Sequence, residues 1–298
     1  MTFYDASDAR TPANGRPTIV LGGSVSTLGS AANALAVGHA GPFYALDLDL
    51  RDAWLPPAWD QIASRHAQST IRLRSLWLPA TLTGFNIDRR HTRISELLAH
   101  GRDDLGLREL IVPRLSAETP GVNLAAEARA FTKASNGVVR IAIGIRAASL
   151  MRHADHLDRL AAVRRTIEEW DLAVALDLTG DIPTGWEAEA AIARLVLRMS
   201  LVRLEPWLLP TGQPNLTPAG QLAARSLAML ADQGYAGIIS LHAIGGGVLD
   251  RTRVGRAAAL SQLLYDDALR RFTPAAIDDA SRAPRWKTQQ HHVFPEYP

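Results

Sequence analysis

The sequence predicts an α/β protein built as a single (β/α)8 TIM barrel, and three observations carry that expectation. Eight short apolar, β-branched runs follow one another along the chain, and helical periodicity can be read in the segments between them. Their starts are spaced by about 25 to 36 residues, the length of a βα unit. Strict alternation of strand and helix demands a parallel sheet, and eight such units over about 250 residues close into a barrel more readily than they spread into an open doubly wound sheet.

The runs cover residues 18–24 (TIVLGGS), 43–48 (FYALDL), 71–78 (IRLRSLWL), 107–113 (LRELIVP), 138–145 (VVRIAIGI), 172–178 (LAVALDL), 201–205 (LVRLE) and 237–242 (GIISLH). Apolar stripes mark the helices between and after them: Ile94, Leu97 and Leu98; Leu160, Val163, Ile167 and Trp170; Leu227, Leu230 and Ala231; Leu260, Leu263 and Leu264. Thr217 followed by Pro218 reads as a helix start, and Gly234, Gly101 and Gly137 read as helix ends. The expected organisation is an N-terminal arm over 1–16, the barrel over 17–272 and a tail over 273–298. The tail's Trp286, Phe294 and Tyr297 point to docking on the barrel or on a neighbour.

Composition removes several function classes. The 298 residues include no cysteine, which excludes disulfides, thiolate metal sites and a cysteine nucleophile, and the cytoplasm is the expected compartment. Residues 17–46 carry no Asp, Glu, Lys or Arg, but Gly22, Gly23, Ser24, Ser26 and Asn33 break the stretch, so no membrane segment is expected. A net charge of +2, with basic residues spread along the chain, gives no footprint for nucleic acid. Only Lys133 and Lys287 are lysines, which leaves Schiff-base chemistry almost without candidates.

A barrel places its functional groups at the C-terminal strand ends. Here these are Ser24 and Ser26, Asp47 and Asp49, Trp77, Arg114, Arg146, Asp177 and Asp181, Arg203 and Glu205, and His242. Two readings of the arginines stay open: Arg114, Arg146 and Arg203 grip a carboxylate or phosphate, or they neutralise neighbouring carboxylates. Asp177, Glu205 and His242 are the acid/base candidates, and Trp77 joins the ligand-binding set. HAIGGG at 242–247 makes Gly245 and Gly246 candidates for holding a phosphorylated ligand through backbone N–H groups. LGGS at 21–24 lacks a dinucleotide fingerprint and reads as a tight turn. A glycosidase lacks its second carboxylate, a Ser-His-Asp hydrolase lacks a nucleophile elbow, and His153 with His156 reads as helix surface.

Three segments resemble the xylose isomerase-like superfamily of sugar isomerases, epimerases and endonuclease IV-type enzymes: SLWLPATLTGFNID at 75–88, LIVPRLS at 110–116 and ALDLTGDIP at 175–183. The resemblance covers residues 18–271 and implies a barrel with one to three divalent metals held by strand-end His, Glu and Asp. The chain departs from that pattern. Trp77 and Pro113 stand for the expected histidines, Arg146 for a strand-five Glu, Arg203 falls near a strand-seven His, and His242 replaces a final Glu, while Asp177 is retained. A guanidinium has no acceptor and repels a cation, so the expectation is no metal site, with Arg146 paired to Asp177 in the metal's place.

The expected function is a metal-independent relative of sugar isomerases or epimerases, binding a small anionic or polyhydroxylated ligand. One alternative is a non-catalytic binding or assembly barrel. Another is a divalent-metal isomerase built from Asp47, Asp49, Asp181, Glu205 and His242 if the strand register is misread. No cofactor is specified, and Trp54, Trp59 and Trp186 mark either a homo-oligomer face or local packing.

Overall fold

In the computed structural model, the structure describes residues 16–24, 37, 40–49, 71–78, 107–113, 133, 139–148, 156–169, 171–180, 192–242 and 251–273. The eight strands are β1 (Thr18–Ser24), β2 (Ala45–Asp49), β3 (Arg72–Trp77), β4 (Glu109–Pro113), β5 (Arg140–Arg146), β6 (Ala173–Asp177), β7 (Met199–Leu204) and β8 (Ile238–Leu241). All pair in parallel with their sequence neighbours, and β8 returns to β1, so the sheet is a closed TIM barrel. Three long helices are described: α1 (His156–Glu169), α2 (Pro218–Asp232) and α3 (Arg251–Arg271). Each expected strand is present, shifted by at most two residues at either end. No helix among the described residues is long and apolar enough to cross a membrane. All of the expected arm (1–16) except residue 16 and all of the expected tail (273–298) except residue 273 lie outside the described residues, as do Trp54, Trp59, Trp170, Trp186, Ile94, Leu97, Leu98, Gly101 and Gly137.

The helix signals act as expected where they are described. Thr217 caps α2, its hydroxyl accepting from the Gly220 N–H at 3.2 Å, with Pro218 at the first helical position. Gly234, at φ +64°, takes the left-handed conformation that ends α2. Leu160, Val163, Ile167, Leu227, Leu230 and Leu264 are buried in the layer between strands and helices.

Strand alternation divides the side chains into two cores. Outward residues such as Leu46, Leu76, Val112, Ile143, Leu176, Val202 and Ile239 meet the helices. Inward residues Val20, Trp77, Ile111, Ala142, Ala175, Leu201 and Ile238 fill the barrel's waist. The waist has room for one indole because its neighbours are small: a Cβ on Gly144 would lie 2.6 Å from Trp77 Cζ3 and 2.9 Å from Ile111 Cγ2.

Two register shifts re-aim residues inside the barrel. Between β2 and β3 the pairing steps from Leu46 with Leu73 to Asp47 with Ser75, making Arg74 the extra residue. Between β6 and β7 it steps from Val174 with Met199 to Ala175 with Leu201, making Ser200 the extra residue. Both extra residues interact with Glu109, a buried carboxyl at the start of β4. Burial raises the Glu109 pKa against the opposing pull of the nearby Ser200 hydroxyl and of the Arg140 and Arg74 charges.

Two predictions follow from this interior. Gly144→Val overpacks Trp77, and urea unfolding should show a loss of about 1–3 kcal/mol; unchanged stability would mean that the indole has room to move. Glu109 keeps its proton in the folded state at pH values where the unfolded chain has released it, so it costs stability as pH rises from its ordinary 4.5. Glu109→Gln should therefore unfold at higher urea than the parent near about pH 7, with the gain shrinking as acid is added. Parallel pH profiles for the two proteins would contradict this.

Candidate functional site

Above the waist, the C-terminal strand ends hold a charged layer. Arg203 on β7 lies beside Asp177 of β6 and Ser240 of β8 in the register, and Asp47 of β2 lies beside Gly22 of β1 and Ser75 of β3. The Arg203 guanidinium reaches across the barrel to β2. Its Nε donates to Asp47 Oδ2 at 2.7 Å, its Nη2 to Asp47 Oδ1 at 3.1 Å and its Nη1 to Asp49 Oδ2 at 2.9 Å. The fork on Asp47 is the bidentate geometry that gives an Arg–carboxylate pair its directionality. The Arg203 Cζ also sits 3.8 Å from the Trp77 ring centroid, so the indole face supports the cation from one side. Ser75 Oγ donates to Asp47 Oδ1 at 2.6 Å and Ser240 Oγ to Asp47 Oδ2 at 2.7 Å.

Arg203, Asp47, Asp49, Ser75, Ser240 and Trp77 are all buried, so the layer is stable only because its charges are matched. Burial opposes ionisation of Asp47, yet the Arg203 charge, the nearby His242 ring and the Arg203 hydrogen bonds overcome it and hold the carboxyl well below the ordinary range. Burial likewise works against the Arg203 cation, but Asp47 and Asp49 outweigh it and raise its pKa.

A second, more open tier surrounds this knot. Arg146, at the end of β5, places Nη2 3.7 Å from Asp49 Oδ2 and Nε 3.7 Å from Asp177 Oδ2, with its side chain 30% exposed. Asp177 Oδ1 accepts from the Thr179 N–H at 3.0 Å and from Thr179 Oγ1 at 2.6 Å. The Gly180 N–H donates to Glu205 Oε1. His242 extends the β7–β8 pairing by one backbone bond, its N–H donating to Leu204 O at 2.9 Å, and its Nε2 lies 3.7 Å from Asp47 Oδ2. Gly22 makes room for this ring, since a Cβ there would stand 2.1 Å from Ser240 Oγ and 2.5 Å from His242 Nε2.

Sequence reasoning placed Asp177, Glu205, His242, Arg146, Arg203 and Trp77 at this end of the barrel, and the structure brings all six to it. Arg146 faces Asp177 as expected, and it faces Asp49 as well. Two of the six have different surroundings from those of a ligand-gripping group: Arg203 and Trp77 are fully buried, and Arg203 is engaged with internal carboxylates. The reading of LGGS as a tight turn is corrected. Gly22 and Gly23 are paired residues inside β1, and the missing Cβ of Gly22 serves close approach of β8 side chains. Arg114, Ser26, Asp181, Gly245, Gly246, His153 and the histidines at 291 and 292 lie outside the described residues. Ser75, Ser240, Thr179 and Gly144 were not identified from the sequence. For Ser75, Ser240 and Gly144 the one signal was a small or hydroxyl residue at an inward strand position, and Thr179 lies just past the end of β6.

The described residues do not fit the divalent ion that the family resemblance implies. Asp47 and Asp49, the carboxylates such an ion would need, are bonded to Arg203, and Arg146 lies between Asp49 and Asp177. Among the described residues, no group of three His, Asp or Glu is arranged to hold a metal.

By sequence, no protein-family model and no curated protein matches the chain. By structure its closed TIM-barrel fold is similar to those of several sugar epimerases and of a xylose isomerase domain protein, all at low identity. It is similar to D-allulose 3-epimerase from Methylomonas sp. in complex with D-allulose, with a TM-score of 0.54 at 18% identity over 86% of this chain and 97% of that one. It is similar to 3-keto-D-glucoside 4-epimerase from E. coli, with a TM-score of 0.51 at 13% identity over 84% of this chain and 100% of that one. A xylose isomerase domain protein from Alicyclobacillus acidocaldarius matches with a TM-score of 0.57 at 12% identity over 85% and 99% of the two chains.

The electrostatics of the knot make a prediction with a definite sign. The folded pKa of Asp47 is lowered, so its contribution is fully present above the ordinary 3.8 and is lost as pH falls below that value. In urea titrations from about pH 6 down to about pH 2, the parent should lose stability more steeply than Asp47→Asn. Near about pH 7 the variant should be several kcal/mol weaker, since the buried Arg203 loses the forked ion pair with Asp47 and keeps a single bond to Asp49. Equal acid slopes would show that Asp47 is not held ionised by Arg203.

Proposed function

We propose that this protein is a sugar isomerase or epimerase-like barrel that binds a small polyhydroxylated or anionic ligand at its C-terminal mouth and works without a divalent metal. The observation that carries the reading is the Arg203 guanidinium bonded to Asp47 and Asp49 at the centre of the barrel, with Arg146 above it. Isomerisation or epimerisation next to a carbonyl needs a base to remove a carbon-bound proton, a positive charge to stabilise the oxyanion that forms, and an acid to return a proton. Asp177, Glu205 and His242 are the proton-handling groups in this reading. Arg146, partly exposed, is the cation within reach of a developing oxyanion, and Arg203 and Trp77 fix the charge beneath it. Arg114, Gly245 and Gly246 remain candidates for a ligand's carboxylate or phosphate. The cytoplasm and a homo-oligomer belong to the same proposal.

The saturation of Asp47 favours a second reading. That carboxylate accepts from Arg203, Ser75 and Ser240 and has little capacity left for a substrate, as suits a barrel that binds a ligand without transforming it. The metal-isomerase alternative is built on Asp47, Asp49, Asp181, Glu205 and His242; against it, Asp47 and Asp49 are bonded to Arg203, while Asp181 lies outside the described residues.

One experiment separates these readings. The protein is incubated with D-allulose, L-ribulose and their phosphorylated forms, with and without chelator, and followed by carbohydrate chromatography and thermal shift. Turnover unaffected by chelator and reduced at least about a hundredfold in Asp177→Asn or His242→Gln is the expected result. Turnover that needs an added divalent ion would overturn the metal-free reading. A thermal shift without turnover would favour the binding barrel, and neither response would remove sugars as ligands.

A further inference from the structure

We infer that Thr179 and Gly180, the two residues that carry the chain out of β6, are positioning residues that hold Asp177 and Glu205 as one unit. The inference rests on the reading that these carboxylates act on a ligand at the mouth. Thr179 directs both its N–H and its hydroxyl at a single oxygen, Asp177 Oδ1, at 3.0 and 2.6 Å. Two donors on Oδ1 fix the carboxylate's rotation and aim Oδ2 at Arg146 Nε, 3.7 Å away. The next peptide serves the neighbouring strand: the Gly180 N–H donates to Glu205 Oε1, two residues beyond Arg203 in the chain.

Gly180 has φ +90°, and nothing among the described residues lies within 4 Å of where its Cβ would be. The requirement for glycine shown here is conformational. That conformation belongs to the turn that aims the Gly180 amide at Glu205. One short turn thus sets the orientation of an acid/base candidate on β6 and of another just past β7. Neither Thr179 nor Gly180 needs to touch the ligand to do so.

The test uses the full-length protein with Thr179→Val, Thr179→Ser and Gly180→Ala, each checked for folding by its thermal midpoint. Valine keeps the shape of threonine and removes the hydroxyl; serine restores it. With D-allulose as substrate, Thr179→Val should lower kcat about tenfold, the effect of one such hydrogen bond, with KM little changed. Thr179→Ser should recover most of the loss, and Gly180→Ala should lower kcat in the same direction.

Carboxyl-carbon NMR reads the same geometry without turnover. Thr179→Val should shift the Asp177 resonance and Gly180→Ala the Glu205 resonance, with Thr179→Ser restoring Asp177. A folded Thr179→Val protein with an unmoved Asp177 resonance, or a serine variant as impaired as the valine one, overturns the inference. If the parent protein does not turn over D-allulose, the functional reading fails on that substrate and the NMR result alone decides the positioning role.

Discussion

The interior of this barrel is organised around one buried cation. Arg203 is fully buried, and a guanidinium taken out of water is tolerable only where carboxylates and an aromatic face replace the lost solvation. Asp47, Asp49 and Trp77 provide that replacement, and each imposes a requirement of its own. Asp47 has lone pairs beyond those Arg203 uses, and Ser75 and Ser240 donate to it from the strands on opposite sides. Trp77 needs volume, which the absence of a Cβ at Gly144 provides. The shift between β2 and β3 is what sets Ser75 opposite Asp47, so even the sheet's irregularity serves the ion pair.

A pair of this kind is weak evidence for stability by itself, because a well-packed apolar replacement is often as stable. Its geometry bears on specificity instead. The two-toothed contact of Arg203 with Asp47, joined by a third bond to Asp49, links β7 to β2 through the barrel's interior, and a slip of either strand by one residue would turn a charge into the apolar outer layer. A misregistered barrel is then penalised far more heavily than by the loss of a few methyl contacts.

This explains which features the sequence revealed. The strands were legible because outward residues such as Ile141, Ile143 and Ile145 repeat every second position and meet helices that show their own stripe, as Leu160, Val163 and Ile167 do on α1. Strand ends then located Asp177, Arg146, Glu205 and His242, since a barrel fixes which end of a strand faces the mouth. Partnership was not legible. That Arg203 turns to Asp47 and Asp49, over 150 positions earlier in the chain, depends on how strands stagger around a closed sheet, and no local pattern records that. Gly22 shows the same limit. Next to Gly23 it looks like a turn, and only the arrival of Ser240 and His242 from β8 reveals a strand residue that has to lack a side chain.

The two tiers of charge also divide the labour at the mouth. A group that must respond to a ligand cannot be locked in its resting geometry, and Arg203, with short bonds on three of its donors, is locked. Arg146 stands at 3.7 Å from each of two carboxylates and is 30% exposed, so in the proposed reading it is the cation that meets a ligand oxygen. The deeper pair fixes a field that does not need to reorganise, which is the property that lets a preformed site stabilise developing charge.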